Sequence, residues 1–385
     1  MSEWREYLLE DVIEKFIDYR GKTPKKTDTG IPLVTAKVVK AGKILPPNEF
    51  IAPEDYNSWM TRGLPEIDDV VLTTEAPLGE VALIKDKNIA LAQRIITLRG
   101  KENLLFNPFL KFYFQNETGQ HELQSRASGT TVFGIKASVL KKVPVELPPL
   151  PEQKSIASVL SSLDDKIDLL HRQNQTLEAM AAILFRQWFV EEAGEDWAEG
   201  TLGDIAINAR SSIKTSDIKP DTKYVGLEHI DRRNIALNQY GFGEEVGSNK
   251  SAFEVHDILF GKLRPYFHKV CFAPFAGICS TDILVIRPKK QEHFTFCLFA
   301  FFQDDVVEYA NLGSGGTRMP RTDWTTLKSY PIAIPDAKSI ERFNSVAKPA
   351  IERITHNLGQ IRTLEKLRDN LLPKLMSGEV RVNHA

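Results

Sequence analysis

The residues that could do chemistry are few, and none of them completes a catalytic motif. Asn107-Pro108-Phe109-Leu110 comes nearest to the Asn-Pro-Pro-Tyr motif with which amino-methyltransferases hold a flipped adenine, but it lacks the second proline. We interpret these residues as a helix start. No Gly-x-Gly run after a predicted strand offers a cofactor loop, and no Gly-x-x-x-x-Gly-Lys-Ser/Thr sequence offers a phosphate cradle. The sequence therefore predicts no catalytic residue and no cofactor bound by this chain.

The histidines and cysteines do not follow a metal-ligand spacing either. His256 and His268 lie near Cys271 and Cys279, but the intervals match no zinc motif, so we expect ordinary side chains and no metal site. Cys271, Cys279 and Cys297 make an odd, sparse set of cysteines that fits reduced thiols better than disulfides. The N-terminus lacks an apolar signal core, and no apolar run reaches the roughly 18 residues that span a bilayer. We therefore expect a cytoplasmic protein without a membrane segment.

Length and charge narrow the class of protein further. The chain has 385 residues, of which 42% are hydrophobic and 26% charged, which is typical of a globular protein with two or three domains. Lys and Arg total 49 and Asp and Glu total 51, for a net charge of −2. This balance argues against a polycation that coats nucleic acid. A DNA binder of this composition must segregate its charges or use positive surface from a partner.

The chain contains an internal repeat. Chance matching of apolar runs is the alternative, but five blocks match in collinear order, which chance explains poorly. The matched blocks are Trp4 with Trp197, Ile67–Leu72 with Val255–Phe260, Ile95–Arg99 with Ile283–Arg287, Ser128–Thr131 with Ser314–Thr317, and Thr176–Glu178 with Thr363–Glu365.

Each copy begins with a region of short strands and turns. We expect mixed α/β domains at residues 1–150 and 194–337, with Gly and Pro between the strands. The clearest predicted strands are Val70–Thr73, Val81–Ile84, Ile258–Phe260 and Ile283–Ile286, and the clearest predicted helices are near Pro108–Gln115 and Thr295–Tyr309.

Each copy continues into a long helix, predicted at residues 151–193 and 338–385. Pro148–Gln153 is a helix-start signal, and apolar residues then recur at heptad spacing along a helix of about 60 Å. Pro349 and Pro373 interrupt the second helix, so we expect them to kink it or to mark its ends. The predicted seam is Ile156, Leu160, Leu163, Ile167, Leu170, Asn174, Leu177 and Leu184, then Ile354, Asn357, Ile361, Leu364 and Leu371.

The two apolar stripes predict that the helices pair with each other, because a single helix cannot bury its own stripe. A pseudo-two-fold repeat makes this pair antiparallel. Asn174 and Asn357 fall inside the seam and have two interpretations. They are either a solvated notch or a buried pair that fixes the register of the helices.

These residues resemble the specificity (S) subunits of type I restriction–modification enzymes over nearly the whole chain. The second copy departs from the pattern, with Ala209–Lys214 in place of Gly21–Pro24 and Ile334–Ala337 in place of the Pro-Pro-Leu-Pro run, which leaves the start of the second helix open. The motifs that carry the resemblance are Leu147–Gln153 with Leu163–Ile167, Gly21–Pro24 with Gly30–Val34, Asp69–Leu72 with Ala76–Gly79, Ser128–Thr131, and Leu364–Glu379.

The resemblance implies a fold and a function. Two tandem, pseudo-two-fold-related target-recognition domains of mixed α+β fold would be separated by two long helices that form an antiparallel coiled coil. Each domain would recognise one half of a bipartite double-stranded DNA target, and the helices would set the spacing. The implied partners are two methyltransferase (M) subunits and restriction (R) motor-nuclease subunits. S-adenosylmethionine, ATP and Mg would be bound by those partners and not by this chain.

DNA contacts require cationic or amide side chains directed at phosphates and base edges. Such side chains occur in loops of both copies, and for each the alternative is a solvated loop without function. The candidates are Lys22, Lys25, Lys26, Arg62, Arg94 and Arg126 in the first copy, and Lys262, Arg264, Arg318 and Arg321 in the second.

Two other classes of function compete with DNA recognition. A coiled-coil scaffold could hold proteins at both ends without touching DNA, and its DNA affinity would lack the steep salt dependence of a phosphate binder. An enzyme with its own methyltransferase or nuclease site is the other alternative, which the missing motifs disfavour.

Overall fold

A computed structural model describes residues 4–129, 132–209, 211–315 and 319–382. Contacts divide the chain into two units. Unit one comprises Met1–Ile167 and Thr363–Ala385, and unit two comprises Asp168–Arg362. Unit one therefore draws on two separate stretches of sequence, whereas unit two is one continuous stretch.

The globular part of unit one consists of short strands and short helices. Its main sheet is antiparallel, and the aromatic side chains Phe109, Phe112 and Phe114 of one helix are fully buried in the core beside it. The elements are β1 (Arg5–Leu8), α1 (Leu9–Val12), β2 (Ile13–Asp18), β3 (Ile31–Val34), β4 (Val39–Lys40), β5 (Lys43–Ile44), β6 (Phe50–Ile51), α2 (Tyr56–Trp59), β7 (Val70–Thr74), β8 (Leu78–Leu83), β9 (Ala90–Leu91), β10 (Ile95–Gly100), α3 (Asn107–Gln115), α4 (Glu117–Ser125), α5 (Ala137–Leu140) and β11 (Pro144–Leu147).

The first long helix, α6 (Leu150–Arg186), follows and is continued by a π-helical turn at Gln187–Glu191. The globular part of unit two comes next and is again a mixture of strands and helices. Its elements are β12 (Ala198–Thr201), α7 (Leu202–Ile205), β13 (Ala206–Asn208), β14 (Ser212–Ile213), β15 (Lys223–Val225), β16 (Gly241–Phe242), β17 (Lys250–Phe253), β18 (Ile258–Gly261), β19 (Val270–Phe272), β20 (Gly277–Cys279), β21 (Ile283–Pro288), α8 (Phe294–Phe301), α9 (Asp304–Leu312), α10 (Trp324–Leu327) and β22 (Pro331–Ile334).

The two globular parts share the topology of their four-stranded sheet and of one strand pair, which confirms the predicted repeat. The sheet β2-β10-β7-β8 of unit one corresponds to β13-β21-β18-β19 of unit two, and the pair β1-β11 corresponds to β12-β22. In both units a buried aspartate bonds an arginine of the neighbouring strand. Arg99 donates to Asp69 in unit one, and Arg287 donates to Asp257 in unit two.

The second long helix, α11 (Ala337–Met376), has 40 residues, against 37 in α6. It runs through Pro349 and Pro373 without a break, so the prediction that these prolines mark its ends is wrong. Both prolines are exposed, and each removes only one backbone hydrogen bond, while neighbouring residues such as Ala350 and Leu375 are buried. In the described part of the chain, no helix is long and apolar enough to cross a bilayer.

Within unit one, the segments of α6 and α11 run antiparallel. Arg368 Nη1 lies 3.2 Å from Asp164 Oδ1, and Arg381 Nη1, just after α11, lies 2.6 Å from Glu152 Oε1 at the start of α6. The contact nearer the start of α6 therefore involves a residue nearer the chain's C-terminus, as expected for antiparallel helices. Lys111 of α3 also bonds Asp164, at 2.6 Å, which attaches the helix pair to the globular core.

Within unit two, the helix segments are also antiparallel. Phe185 packs on Phe343 with ring centroids 5.7 Å apart, and Asn357 Nδ2 donates to Asn174 Oδ1 at 2.8 Å. Asn357 is buried, so the pair is a hydrogen bond between helices and not a solvated notch. A register shift that separated these amides would cost about 1–3 kcal/mol for the unpaired groups, which favours the observed register.

All predicted seam positions lie on the two long helices, and none is exposed. The buried ones are Ile156, Leu160, Ile167, Leu170, Ile354, Asn357 and Ile361, and the partly buried ones are Leu163, Asn174, Leu177, Leu184, Leu364 and Leu371.

Glu178 of α6 lies in a polar cavity of unit two with a volume of about 300 Å³. Its Oε2 accepts a hydrogen bond from the backbone N–H of Ile235 at 3.1 Å. Burial nevertheless raises the pKa of Glu178 to about 7, because loss of hydration outweighs that single hydrogen bond. The other charged or titratable residues lining the cavity are His171, Asp231, Arg232 and Arg233.

Replacing Glu178 by Gln is expected to stabilise the protein above pH 7 and to change little near pH 4. The folded state holds the Glu178 proton more tightly than the unfolded state, so the wild type loses stability as the pH rises from about 4.5 to about 7. Glutamine removes that loss, a gain of about 1–3 kcal/mol at pH 8. Urea unfolding at both pH values measures it, with the exposed Glu352→Gln as control. An equal effect at both pH values would contradict the assignment.

Candidate nucleic-acid interface

Lys22, Lys25 and Arg62, all predicted from the sequence, line one surface cavity of unit one. The cavity has a volume of about 510 Å³, and Tyr19 and Trp59 also line it. The rings of this aromatic pair stack with centroids 5.4 Å apart. Tyr19 is buried and Trp59 is partly buried, so this pair forms a rigid wall of the cavity, and its cationic side chains are the groups that can attract a phosphate.

The backbone presents the two lysines of this cavity to solvent. Gly21, directly before Lys22, has a φ of +89°, a conformation that favours glycine. Lys22 and Lys25 are exposed and form no ion pair with other described residues. Arg62 instead donates from Nη1 to the backbone carbonyls of Asp18, at the end of β2, and of Arg20, both at 2.8 Å. The lysines are therefore available to a phosphate, while Arg62 holds the cavity wall.

Three other predicted cations of unit one are paired with acidic side chains. Lys26 Nζ lies 2.8 Å from Glu49, and its hydrogen bond is the main reason that the pKa of Glu49 is lowered. Arg94 Nε lies 3.0 Å from Glu75, and Arg126 pairs with Glu122 one turn earlier on α4. Of these three pairs, that of Arg94 and Glu75 is exposed on both sides. Exposed ion pairs are worth only about 0–1 kcal/mol, so a phosphate can replace the Glu75 carboxylate at low cost.

Arg94 lies at an edge where three chain segments meet. The carbonyl of Arg94 accepts from the N–H of Thr74 at 2.9 Å, and the carbonyl of Thr74 accepts from the N–H of Ile135 at 3.0 Å. Just before Ile135, the two ends of a turn are joined by paired backbone hydrogen bonds between Ser128 and Gly134, at 2.9 and 3.1 Å. We call this edge of unit one the first edge.

Unit two has an equivalent edge, and it brings three predicted cations together. Lys262 N donates to the carbonyl of Asp282 at 2.8 Å, and Arg264 N donates to the carbonyl of Pro320 at 2.8 Å. The guanidinium of Arg321 pairs with Asp282. We call this edge of unit two the second edge. Arg318, the remaining candidate, lies outside the described residues.

The turns at the two edges close in the same way. Gly315 and Arg321 exchange backbone hydrogen bonds of 3.1 and 3.2 Å, as Ser128 and Gly134 do in unit one. Ser128 therefore corresponds to Gly315, one residue later than the sequence blocks suggested. The apolar side chains of Val132 and Met319 occupy equivalent places in the turns, and both are exposed. Sequence reasoning missed them, although aligning the two turns residue by residue would have shown an apolar residue in each.

The described residues contain no group of three or more His, Cys, Asp or Glu side chains that could bind a metal. Asn107, which begins α3 as predicted, accepts a hydrogen bond from the N–H of Gly100 through Oδ1 at 2.8 Å, so its amide serves the backbone. Burial raises the pKa of Cys279 to about 12 and keeps this thiol protonated and unreactive near neutral pH. These groups have structural roles.

A duplicated α/β fold with cationic side chains at equivalent edges is typical of a DNA-recognition protein with two reading domains. The family profile of the type I restriction–modification DNA specificity domain matches the chain twice, over residues 1–179 and 194–362. The chain belongs to this family. The resemblance stated from the motifs is thereby confirmed, together with the fold class and the function of recognising DNA sequence, and the scaffold alternative is not favoured.

Curated relatives carry the same description. The chain is 27% identical to the type I restriction enzyme MjaIX specificity subunit of Methanocaldococcus jannaschii, over 81% of this chain and 78% of the relative. It is 22% identical to the HindI specificity subunit of Haemophilus influenzae, over 99% of this chain and the whole relative. The crystal structure of the S subunit of a type I system from M. genitalium superposes with a TM-score of 0.61 at 16% identity, covering 97% of this chain and 96% of that one. That likeness supports the fold.

Proposed function

We propose that the protein recognises a bipartite DNA target, with one half-site for each unit. The observation that carries this proposal is the repetition of one edge geometry, with basic side chains at both edges, in a family of DNA specificity domains. The two edges present different side chains, so the two half-sites would differ in sequence. The first edge with its neighbouring cavity would contact one half-site through Lys22, Lys25 and Arg94, and the second edge would contact the other through Lys262, Arg264 and Arg321.

The protein would act without catalysis of its own, as the specificity subunit of a larger complex. Its near-neutral charge favours assistance in DNA binding from two methyltransferase subunits, which would supply further positive surface. Methyl transfer would use S-adenosylmethionine bound by those subunits. Cleavage would need restriction subunits that bind ATP and Mg. The long helices would offer docking contacts to these partners, because they expose apolar side chains such as Met180, Ile183 and Leu367.

A footprinting experiment tests this function. The full chain, alone and assembled with its methyltransferase subunits, is bound to target DNA and probed with hydroxyl radicals. We expect two protected blocks separated by an unprotected interval, with much weaker protection by the chain alone. The logarithm of affinity should fall with the logarithm of salt concentration by about 0.9 per phosphate contacted. One continuous protected block would refute the bipartite target, and a salt-independent affinity would favour a protein scaffold.

A further inference from the structure

We infer that four side chains of unit two, Arg232, Arg264, Tyr266 and Phe267, form a DNA contact that serves only one of the two half-sites. We call these residues the arginine–aromatic cluster. The inference rests on the proposed function and makes it more specific, since it assigns contacts to residues that the sequence did not single out. Of the four, only Arg264 was predicted from the sequence.

The cluster is built around the ring of Phe267. The Arg232 guanidinium carbon lies 3.7 Å from the ring centroid, and that of Arg264 lies 5.9 Å from it. The Tyr266 ring packs edge-on against Phe267 with centroids 4.7 Å apart, yet Tyr266 remains 52% exposed. A guanidinium stacked on an aromatic face is oriented before any ligand arrives, so less side-chain entropy is lost when it binds.

The backbone that carries the cluster is held in an uncommon conformation. Pro265–Phe267 forms a single 3₁₀ turn between Arg264 and His268, and both flanking residues have a φ of +50°. Left-handed conformations are unfavourable for residues other than glycine and persist where the surroundings hold them in place. Here Arg264 N bonds the carbonyl of Pro320, and the buried His268 bonds Asp304 at 3.0 Å through Nδ1. The turn is therefore a stiff platform for Tyr266.

The charge of the cluster is not neutralised by acidic side chains. Arg232 and Arg264 form no ion pair with any described residue, and Arg264 Nε is buried without a hydrogen-bond partner. The neighbouring arginines Arg233 and Arg321 are paired, with Asp304 and Asp282 respectively. Two unpaired guanidinium groups beside an exposed aromatic ring match a nucleic-acid surface, because arginine bonds phosphate or guanine edges in bidentate fashion and an aromatic ring contacts bases and sugars.

Unit one shares one feature of this backbone, but neither its turn nor its side chains. Ala76 has a φ of +50°, as Arg264 does, and a proline follows each of them. The next residues differ in type and in conformation: Leu78 and Gly79 begin strand β8 in unit one, whereas Tyr266 and Phe267 lie in the 3₁₀ turn of unit two. A local difference in side chains and conformation at equivalent places of two reading domains is the expected form of a specificity determinant. The cluster therefore distinguishes the half-site of unit two from that of unit one.

The test uses Arg232→Gln and Tyr266→Ala in the full chain assembled with its methyltransferase subunits. Binding is measured by fluorescence anisotropy on the intact target and on two duplexes, each with one half-site scrambled. We expect each variant to bind the intact target about tenfold more weakly and to lose discrimination at only one half-site. Arg342→Gln is the matched control, because Arg342 also stacks on an aromatic ring in unit two, 4.1 Å from that of Trp188 on α6's continuation.

Each outcome decides a separate question. Wild-type binding by both variants, or an equal loss at both half-sites, overturns the inference. Weaker assembly with the methyltransferase subunits in the absence of DNA would mean that the cluster contacts protein, which also overturns it. If the wild-type complex binds no DNA, the proposed function itself fails. Melting temperatures of the full-length variants identify unfolding, and Arg232→Gln keeps the test valid if Tyr266→Ala does not fold, since Arg232 is exposed.

Discussion

One heptad inserted into each long helix, after residue 167 and after residue 362, is expected to abolish modification of the natural target and to favour a longer spacer. Both insertions lie where the contacts divide the chain into two units, so the pairs inside each unit are preserved. Seven residues add about 10 Å of helix, which corresponds to about three base pairs of DNA. On the proposed function, half-site distance follows from protein geometry. We expect modification of the natural target to fall by at least about 100-fold.

The measurement is methylation by the assembled complex on a set of targets whose spacers differ by one base pair. The control is a heptad in α6 alone. An insertion in α6 alone lengthens one helix and not the other. It can therefore keep only one of two contacts in register, Asp164 with Arg368 or Asn174 with Asn357, and it displaces other pairs of the seam. It should reduce stability without producing a new preferred spacing. If the double insertion retains the natural spacer as its optimum, the helices do not determine the distance between half-sites.

The long helices could be predicted because their signal is periodic and local. Apolar residues from Ile156 to Leu184 repeat at heptad spacing, and Leu150 begins the helix inside the predicted start motif. The error concerned Pro349 and Pro373. A proline in a helix interior costs about 3 kcal/mol, so the sequence around each proline predicts that the helix kinks or ends there. The burial of apolar seam residues on the partner helix offsets that cost, and the sequence pattern does not reveal its size.

The interface could be predicted only in part, because its geometry depends on residues far apart in sequence. The basic loop around Lys22 was visible from composition, and its lysines are exposed as expected. The stacking of Arg232 on Phe267 was not visible, because it joins two loops that are far apart in sequence and that only the fold brings together. The carboxylate partners of Arg94 and Arg321 were hidden for the same reason. Local patterns identify candidate side chains, whereas their partners depend on the tertiary fold.

The buried ion pair of unit one illustrates this limit and gives a second prediction with a large effect. Asp69 and Arg99 both lie in blocks that match between the copies, but the sequence did not indicate that they bond each other. Arg99 binds Asp69 in bidentate fashion, with Nε and Nη2 at 2.8 and 2.7 Å from the carboxylate oxygens. Hydrogen bonding to Asp69 is the main cause of the raised pKa of Arg99. The Asp69 side chain is 1% exposed, so it depends on Arg99 for compensation of its charge.

Arg99→Met is therefore expected to destabilise unit one by about 3–5 kcal/mol, because it leaves a buried carboxylate without its cationic partner. Arg287→Met in unit two is the matched comparison. Its guanidinium side chain is 34% exposed, against 11% for Arg99, so water compensates part of the loss and the effect should be smaller. Adding Asp69→Leu to Arg99→Met should restore most of the stability, since no unpaired charge then remains buried. Urea unfolding measures the loss of stability. Hydrogen exchange of peptides from β7 and β18 then reports the stability of unit one and unit two separately. A small effect of Arg99→Met, or no recovery in the double variant, would show that the pair does not stabilise the sheet.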